Sequence, residues 1–87
     1  VKKAKDLQSN ADLNNITASR IYYLDGMSER LNVPTSNATN CYLIVFALNS
    51  RRCTQIVLPG NDDHIYYRST FTDKESWKKW KQAGGLS

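Results

Sequence analysis

The stretch Cys41-Tyr42-Leu43-Ile44-Val45-Phe46-Ala47-Leu48 constrains this chain more than any other. Side chains of a strand alternate between its two faces. Cys41, Leu43, Val45 and Ala47 therefore look one way and Tyr42, Ile44, Phe46 and Leu48 the other, and both sets are apolar. A strand of this kind is expected to be covered on both sides. The chain has only 87 residues, enough for one domain, and a domain of that size buries only roughly 60–65% of the surface its unfolded chain exposes. Material for two covering layers is scarce, and a neighbouring chain is one way to supply the second.

The remaining elements follow from local patterns. Arg20 to Leu24 (Arg-Ile-Tyr-Tyr-Leu) reads as a strand by its branched and aromatic content, closed by the turn residues Asp25-Gly26. Met27 to Asn40 is a long polar connection containing Pro34. A hairpin turning near Asn49–Arg52 leads into a return strand, Thr54 to Leu58, which Pro59-Gly60 and the turn Asn61-Asp62-Asp63 end. Ile65 to Phe71 is the next strand, with Tyr66, Arg68 and Thr70 on one face and Ile65, Tyr67, Ser69 and Phe71 on the other. Residues 1–11 read as a linker or the end of a fibre shaft, with a faint helical spacing at Ala4, Leu7 and Ala11, and residues 12–87 as the domain. Asp12 is placed to cap one helical turn that would bring Leu13 and Ile16 to one face at the bottom of the core. Thr72 and Glu75 resemble a capping box, and Trp77 and Trp80 would share a face in a helix but point apart in a strand. Local pattern favours the helix there. The turn spacing suits an antiparallel meander, sandwich or small barrel, so the expected fold class is all-β: a small antiparallel meander, sandwich-like, with at most a short N-terminal helical turn.

Composition narrows the function classes. The hairpin register sets Cys53 near Ala47 and leaves Cys41 several residues further along, at ~3.3 Å per residue too far for a disulfide; both cysteines read as reduced, buried apolar residues. Two cysteines and the single histidine, His64, do not make a zinc site, and no metal or cofactor is expected. No basic-then-apolar leader opens the chain, which begins at Val1 and reads as a fragment or processed product. No run approaches the ~20 apolar residues that span a bilayer, so membrane insertion is not expected. The net charge of +4 favours acidic partners such as phosphate, uronic acid or sialic acid. Catalysis is not expected: no nucleophile is placed beside His64 by motif, and a cleft with paired carboxylates ~5–9.5 Å apart asks for a longer chain.

Several segments, in order, resemble the pyocin knob family, found in the fibres of R-type pyocins and in many bacteriophage tail fibres and tailspikes. Leu13-Asn14-Asn15-Ile16 is similar to the family's opening signature, Ile21-Tyr22-Tyr23 to its first strand and Leu43-Ile44-Val45-Phe46 to its central strand. Thr54-Gln55-Ile56 is similar to its return strand, Ile65-Tyr66-Tyr67-Arg68 to the next, and Trp77-Lys78-Lys79-Trp80-Lys81 to its closing motif. Arg20 stands where the family has glycine, Asn37-Ala38-Thr39-Asn40 replaces a glycine-rich turn, and Lys79 stands where the family often has a proline that would oppose a helix. The resemblance therefore implies that Trp77 to Lys81 is extended. It also implies a non-catalytic module of a homotrimeric fibre that adsorbs to bacterial surface polysaccharide (capsule or lipopolysaccharide), located in the virion or in an extracellular bacteriocin particle. The alternative is a purely structural knob or trimerisation element. Leu13, Ile16, Tyr22, Gln55, Arg68, Trp77 and Trp80 carry the family motifs and read as structural.

Candidate glycan contacts are Arg51 and Arg52 at the hairpin tip, a forked clamp for phosphate or carboxylate; Asp62, Asp63 and His64, which could take sugar hydroxyls; and Tyr66, the one tyrosine that, beside Arg68, reads as most exposed. Trp77 and Trp80 are either sugar platforms or core. Gln55 is expected to tie down a loop backbone, and Arg68, if buried, to need a carboxylate or carbonyl partner. Lysines interleaved with the tryptophans also raise nucleic-acid binding, which ranks below the glycan and structural readings and is not expected.

Overall fold

The computed structural model of the protein describes residues 3–7, 11–25, 31–34, 40–49, 51–59, 64–70 and 76–84. Among them runs a single six-stranded sheet: β1 (Lys5–Asp6), β2 (Arg20–Leu24), β3 (Cys41–Asn49), β4 (Arg52–Pro59), β5 (His64–Thr70) and β6 (Lys81–Gly84), each beside its neighbour in sequence. β1 lies parallel to β2 and every other pair is antiparallel. The chain is a small all-β fold. Its one described helical element is a 3-10 turn at Leu13–Asn15, where Asp12 accepts a 2.9 Å bond from the Asn14 N–H.

The β3–β4 hairpin is the middle of the sheet. Leu43 faces Val57, Ile44 faces Ile56 and Val45 faces Gln55. At its tip the Asn49 side-chain oxygen accepts the backbone N–H groups of Arg51 and Arg52 at 2.8 and 3.1 Å, the usual way an Asn side chain closes a turn. Ala47 faces Cys53 while Cys41 faces Pro59 at the opposite end, so both cysteines are free. Both are buried, and burial pushes the Cys53 thiol pKa up.

The two faces of the sheet have different fates. Tyr22, Leu24, Cys41, Leu43, Val45, Val57 and Tyr66 form the core together with Leu7, Ala11 and Leu13 from the covering segments, and Ile16, Val33 and Trp80 pack against it. The other face is open: Ile21, Tyr42, Phe46, Ile65 and Tyr67 are exposed, Phe46 to 60%. Rows on that face run Ile21–Ile44–Ile56–Tyr67 and Tyr23–Tyr42–Leu58, with Tyr23 and Tyr42 meeting edge to face at 5.2 Å. The described residues therefore cover one side of β3 only. A sandwich-like second layer is replaced by loops, because irregular segments suffice to cover one face of a short sheet.

One segment departs from expectation, and at a second the structure chooses the extended form that the resemblance implies over the helix that local pattern favours. The opening residues do not stand apart as a linker or keep helical spacing. Lys5 and Asp6 pair with Tyr22 and Tyr23, the Leu7 N–H donates to the Tyr23 carbonyl at 2.9 Å, and Leu7 and Ala11 enter the core. At the other end, Trp77 pairs with Thr70 and Lys81 with Tyr67, so this segment is extended; the capping-box residues Thr72 and Glu75 lie outside the described residues, as does Phe71.

Both thiols are expected to resist iodoacetamide in the folded protein and to take up two labels on unfolding without reductant. Mass spectrometry under native and denaturing conditions checks this; an unlabelled product two daltons light would mean a disulfide. Leu43→Ala, at a fully buried position, is expected to lower stability by ~3 kcal/mol in urea melts.

Candidate functional site: a cleft of two tryptophans and an arginine

A regular strand would send Trp77 and Trp80, three residues apart, to opposite faces. Here four residue steps from Trp77 to Lys81 lie against three from Thr70 to Tyr67. The extra residue is bulge-like in effect and brings both indoles to the same neighbour. The guanidinium carbon of Arg68 lies 4.3 Å from the Trp77 ring centroid and 4.5 Å from that of Trp80, within cation–π range of each. The indole N–H groups reach outward to the loops: Trp77 Nε1 donates to the Asn14 carbonyl at 3.1 Å and Trp80 Nε1 to the Asn32 carbonyl at 2.9 Å.

Arg68 faces Gln55 across the β4–β5 pair and donates from Nε to Gln55 Oε1 at 2.9 Å. Gln55, 0% exposed, spends its amide nitrogen on the Leu13 and Ile16 carbonyls at 2.6 and 2.9 Å. Its amide thus ties down a loop backbone, and its oxygen is the partner that buried Arg68 requires. Asp12 holds the next loop, accepting Asn32 Nδ2 at 2.6 Å; Asn32 is in the left-handed region with φ of 61°, which Asn tolerates. Burial lowers the Arg68 pKa to about 10, against which the Asp12 carboxylate acts; the group remains a cation at neutral pH.

Arg68, Trp77 and Trp80 line a cleft of about 340 Å³, completed by Asn14, Asn32, Val33, Lys78 and Lys79. Lys78 and Lys79 are exposed and the two indoles half-buried. Arg68 is only 6% exposed, and its Nη2, like Asn14 Oδ1, is buried without a hydrogen-bond partner. Both orphaned atoms belong to residues of this one cleft, and such atoms cost on the order of 1–3 kcal/mol each.

The glycan contacts expected from sequence do not assemble. Arg51 and Arg52 are exposed at the β3–β4 tip, whereas His64 begins β5 beside the far end of β4, about 20 Å away at ~3.3 Å per strand residue. Asp62 and Asp63 lie outside the described residues. Tyr66 is not exposed: strand alternation turns it inward, where it is buried in the core, its ring 6.2 Å from that of His64. The exposed residues of β5 are Ile65 and Tyr67. By contrast, Leu13, Ile16, Gln55, Arg68, Trp77 and Trp80 converge, and Tyr22 packs in the same core with its hydroxyl donating to the Ala18 carbonyl at 3.1 Å. Asn32 had no local signal marking it, and Asn14, Lys78 and Lys79 stood only inside quoted motifs with no glycan-contact role; the return of the chain across the sheet gathers all four. Among the described residues no three His, Cys, Asp or Glu side chains come together, and no helix is long and apolar enough to cross a membrane.

Gln55→Leu strips Arg68 Nε of its acceptor and the Leu13 and Ile16 carbonyls of one donor each, and is expected to lower stability by about 2–4 kcal/mol. Combining it with Arg68→Met is expected to cost less than the sum of the two single changes, by about 1–3 kcal/mol. A double-mutant cycle from urea melts measures that coupling, and strict additivity would refute it.

In comparison with known proteins, no family model matches the chain, and no curated protein or solved structure matches it.

Proposed function

We propose that this chain is a non-catalytic receptor-binding module of the bacteriophage tail-fibre type, which binds bacterial surface glycan through the cleft of Trp77, Arg68 and Trp80. The observation that carries the reading is that cleft: two half-buried indoles fixed by their N–H groups, beside the Arg68 cation and the amide side chains of Asn14 and Asn32. Aromatic faces suit the apolar faces of pyranose rings, and rings held in place before binding lose little freedom on binding. The ordered resemblance to pyocin knobs supports the same reading and rests on the residues quoted for it. The corresponding location is the virion tail or an extracellular bacteriocin particle.

The partner chains of a homotrimeric fibre belong to the same proposal. Ile21, Tyr42, Phe46, Ile65 and Tyr67 are exposed on the face of the sheet that the described residues leave uncovered. Extended apolar patches of this kind mark interaction surfaces, and a shaft that holds three copies together would raise their effective concentration.

The chain contains two tryptophans, so its two indole N–H resonances both report on the cleft. Titration with purified capsular and lipopolysaccharide glycans from candidate hosts is expected to shift both resonances in nitrogen–proton NMR spectra. Binding that leaves both unmoved would place the site elsewhere and favour a structural role for the cleft. For the assembly, light scattering on the parent fibre is expected to give a trimer weakened by Phe46→Glu; a monomeric or dimeric parent would refute it.

A further inference from the structure

We propose that the cleft selects a carboxylate-bearing sugar, a uronic or sialic acid unit, over neutral sugars; this rests on the glycan-binding reading above. The argument starts from the geometry of Arg68. The two indoles lie against its guanidinium, so the in-plane N–H groups are what remain for hydrogen bonding. Nε is used by Gln55, while Nη2 is buried and unpartnered on a residue that lines the cleft and is only 6% exposed. A planar carboxylate is the natural complement to a planar guanidinium edge.

The second orphan, Asn14 Oδ1, is an acceptor and asks for a donor. A sugar acid supplies both chemistries at neighbouring positions: a carboxylate for Nη2 and a ring hydroxyl for Oδ1. A neutral sugar supplies the hydroxyl but no anion for the guanidinium. A free phosphate offers mainly acceptors and leaves Asn14 unsatisfied. The surrounding charge agrees. Lys78 and Lys79 stand exposed at the cleft, while the carboxylate whose field reaches Arg68, Asp12, already accepts bonds from the Asn14 N–H and Asn32 Nδ2. Among the described residues, three cations against one engaged carboxylate leave a positive cleft.

The test uses an array of acidic bacterial capsular polysaccharides, each printed native and carboxyl-reduced, alongside phosphate-bearing glycans without carboxylates. The expected result is binding to native polymers at least tenfold tighter than to their reduced forms, and weakened by added salt. Asn14→Ala removes the orphaned acceptor while keeping the backbone carbonyl that holds Trp77. It is expected to melt like the parent and to bind the native polymer about tenfold more weakly. Lys78→Gln with Lys79→Gln, on exposed side chains, is expected to narrow the gap between native and reduced polymers. Equal binding to native and reduced forms overturns the acidic selectivity and leaves glycan binding standing. Binding only to the phosphate-bearing glycans overturns the carboxylate assignment. No binding to any polymer overturns the glycan reading itself, and the selectivity with it.

Discussion

The amide of Gln55 is the interaction on which the rest of this structure depends. It sits fully buried on the inner face of β4, donates to both ends of the 3-10 turn, and accepts from Arg68 on the next strand. One side chain therefore fastens the covering loop to the sheet and supplies the neutral oxygen that makes a buried guanidinium tolerable. An apolar residue of the same volume would pack as well but would strip the Arg68 Nε–H of its acceptor and the Leu13 and Ile16 carbonyls of one donor each, Leu13 keeping the Ile16 N–H. Buried polar networks of this kind rigidify when satisfied and are costly when broken. Here the network replaces what a larger domain would obtain from a second layer.

Above that amide the chain makes its second decisive choice, the extra residue between Trp77 and Lys81. Without it the two indoles would face opposite sides of the sheet, one toward the core and one toward the open face. With it, both flank Arg68 and both reach a loop carbonyl. The segment thus closes the core, with Trp80 packed against it, and walls a cleft at the same time. Structural and binding roles for the tryptophans are not alternatives in this arrangement: rings fixed by packing and by their N–H groups are what a preorganised sugar platform needs. The two buried side-chain atoms without a hydrogen-bond partner among the described residues both sit at this cleft.

The open face obeys a different constraint. Six strands and a few covering loops bury one side of the sheet, and no described residues remain to bury the other. The apolar rows across β2 to β5 are consequently presented outward. Such a surface is a liability in a lone chain and an asset in an assembly, where the same residues lose their contact with water against a neighbour. The cleft and this apolar surface lie on opposite faces of the sheet, so the module can use one without blocking the other.

Local chemistry in the sequence determined most of the strands. Branched and aromatic runs marked Arg20–Leu24 and Cys41–Leu48, turn residues bounded the hairpin, and period-two alternation paired Tyr66 with Arg68 and Ile65 with Tyr67. Asp12 as a cap, the separation of Cys41 from Cys53, and the tie between Gln55 and a loop were legible for the same reason: each depends on spacing within one or two elements. The polarity of β5 was not legible, because alternation says which residues share a face but not which face is covered. Tyr66 therefore looked exposed when it is buried. Nor could spacing reveal β1, two polar residues whose strand character comes from the neighbour they pair with, or the bulge-like offset that turns both indoles to Arg68. The sequence by itself determined that β2 to β5 are extended and that a turn joins β3 to β4, since those are local preferences of backbone and side chain. Only the tertiary structure decided which face is core, and which distant loops meet two tryptophans and an arginine to make a cleft, because that depends on what the returning chain lays across the sheet.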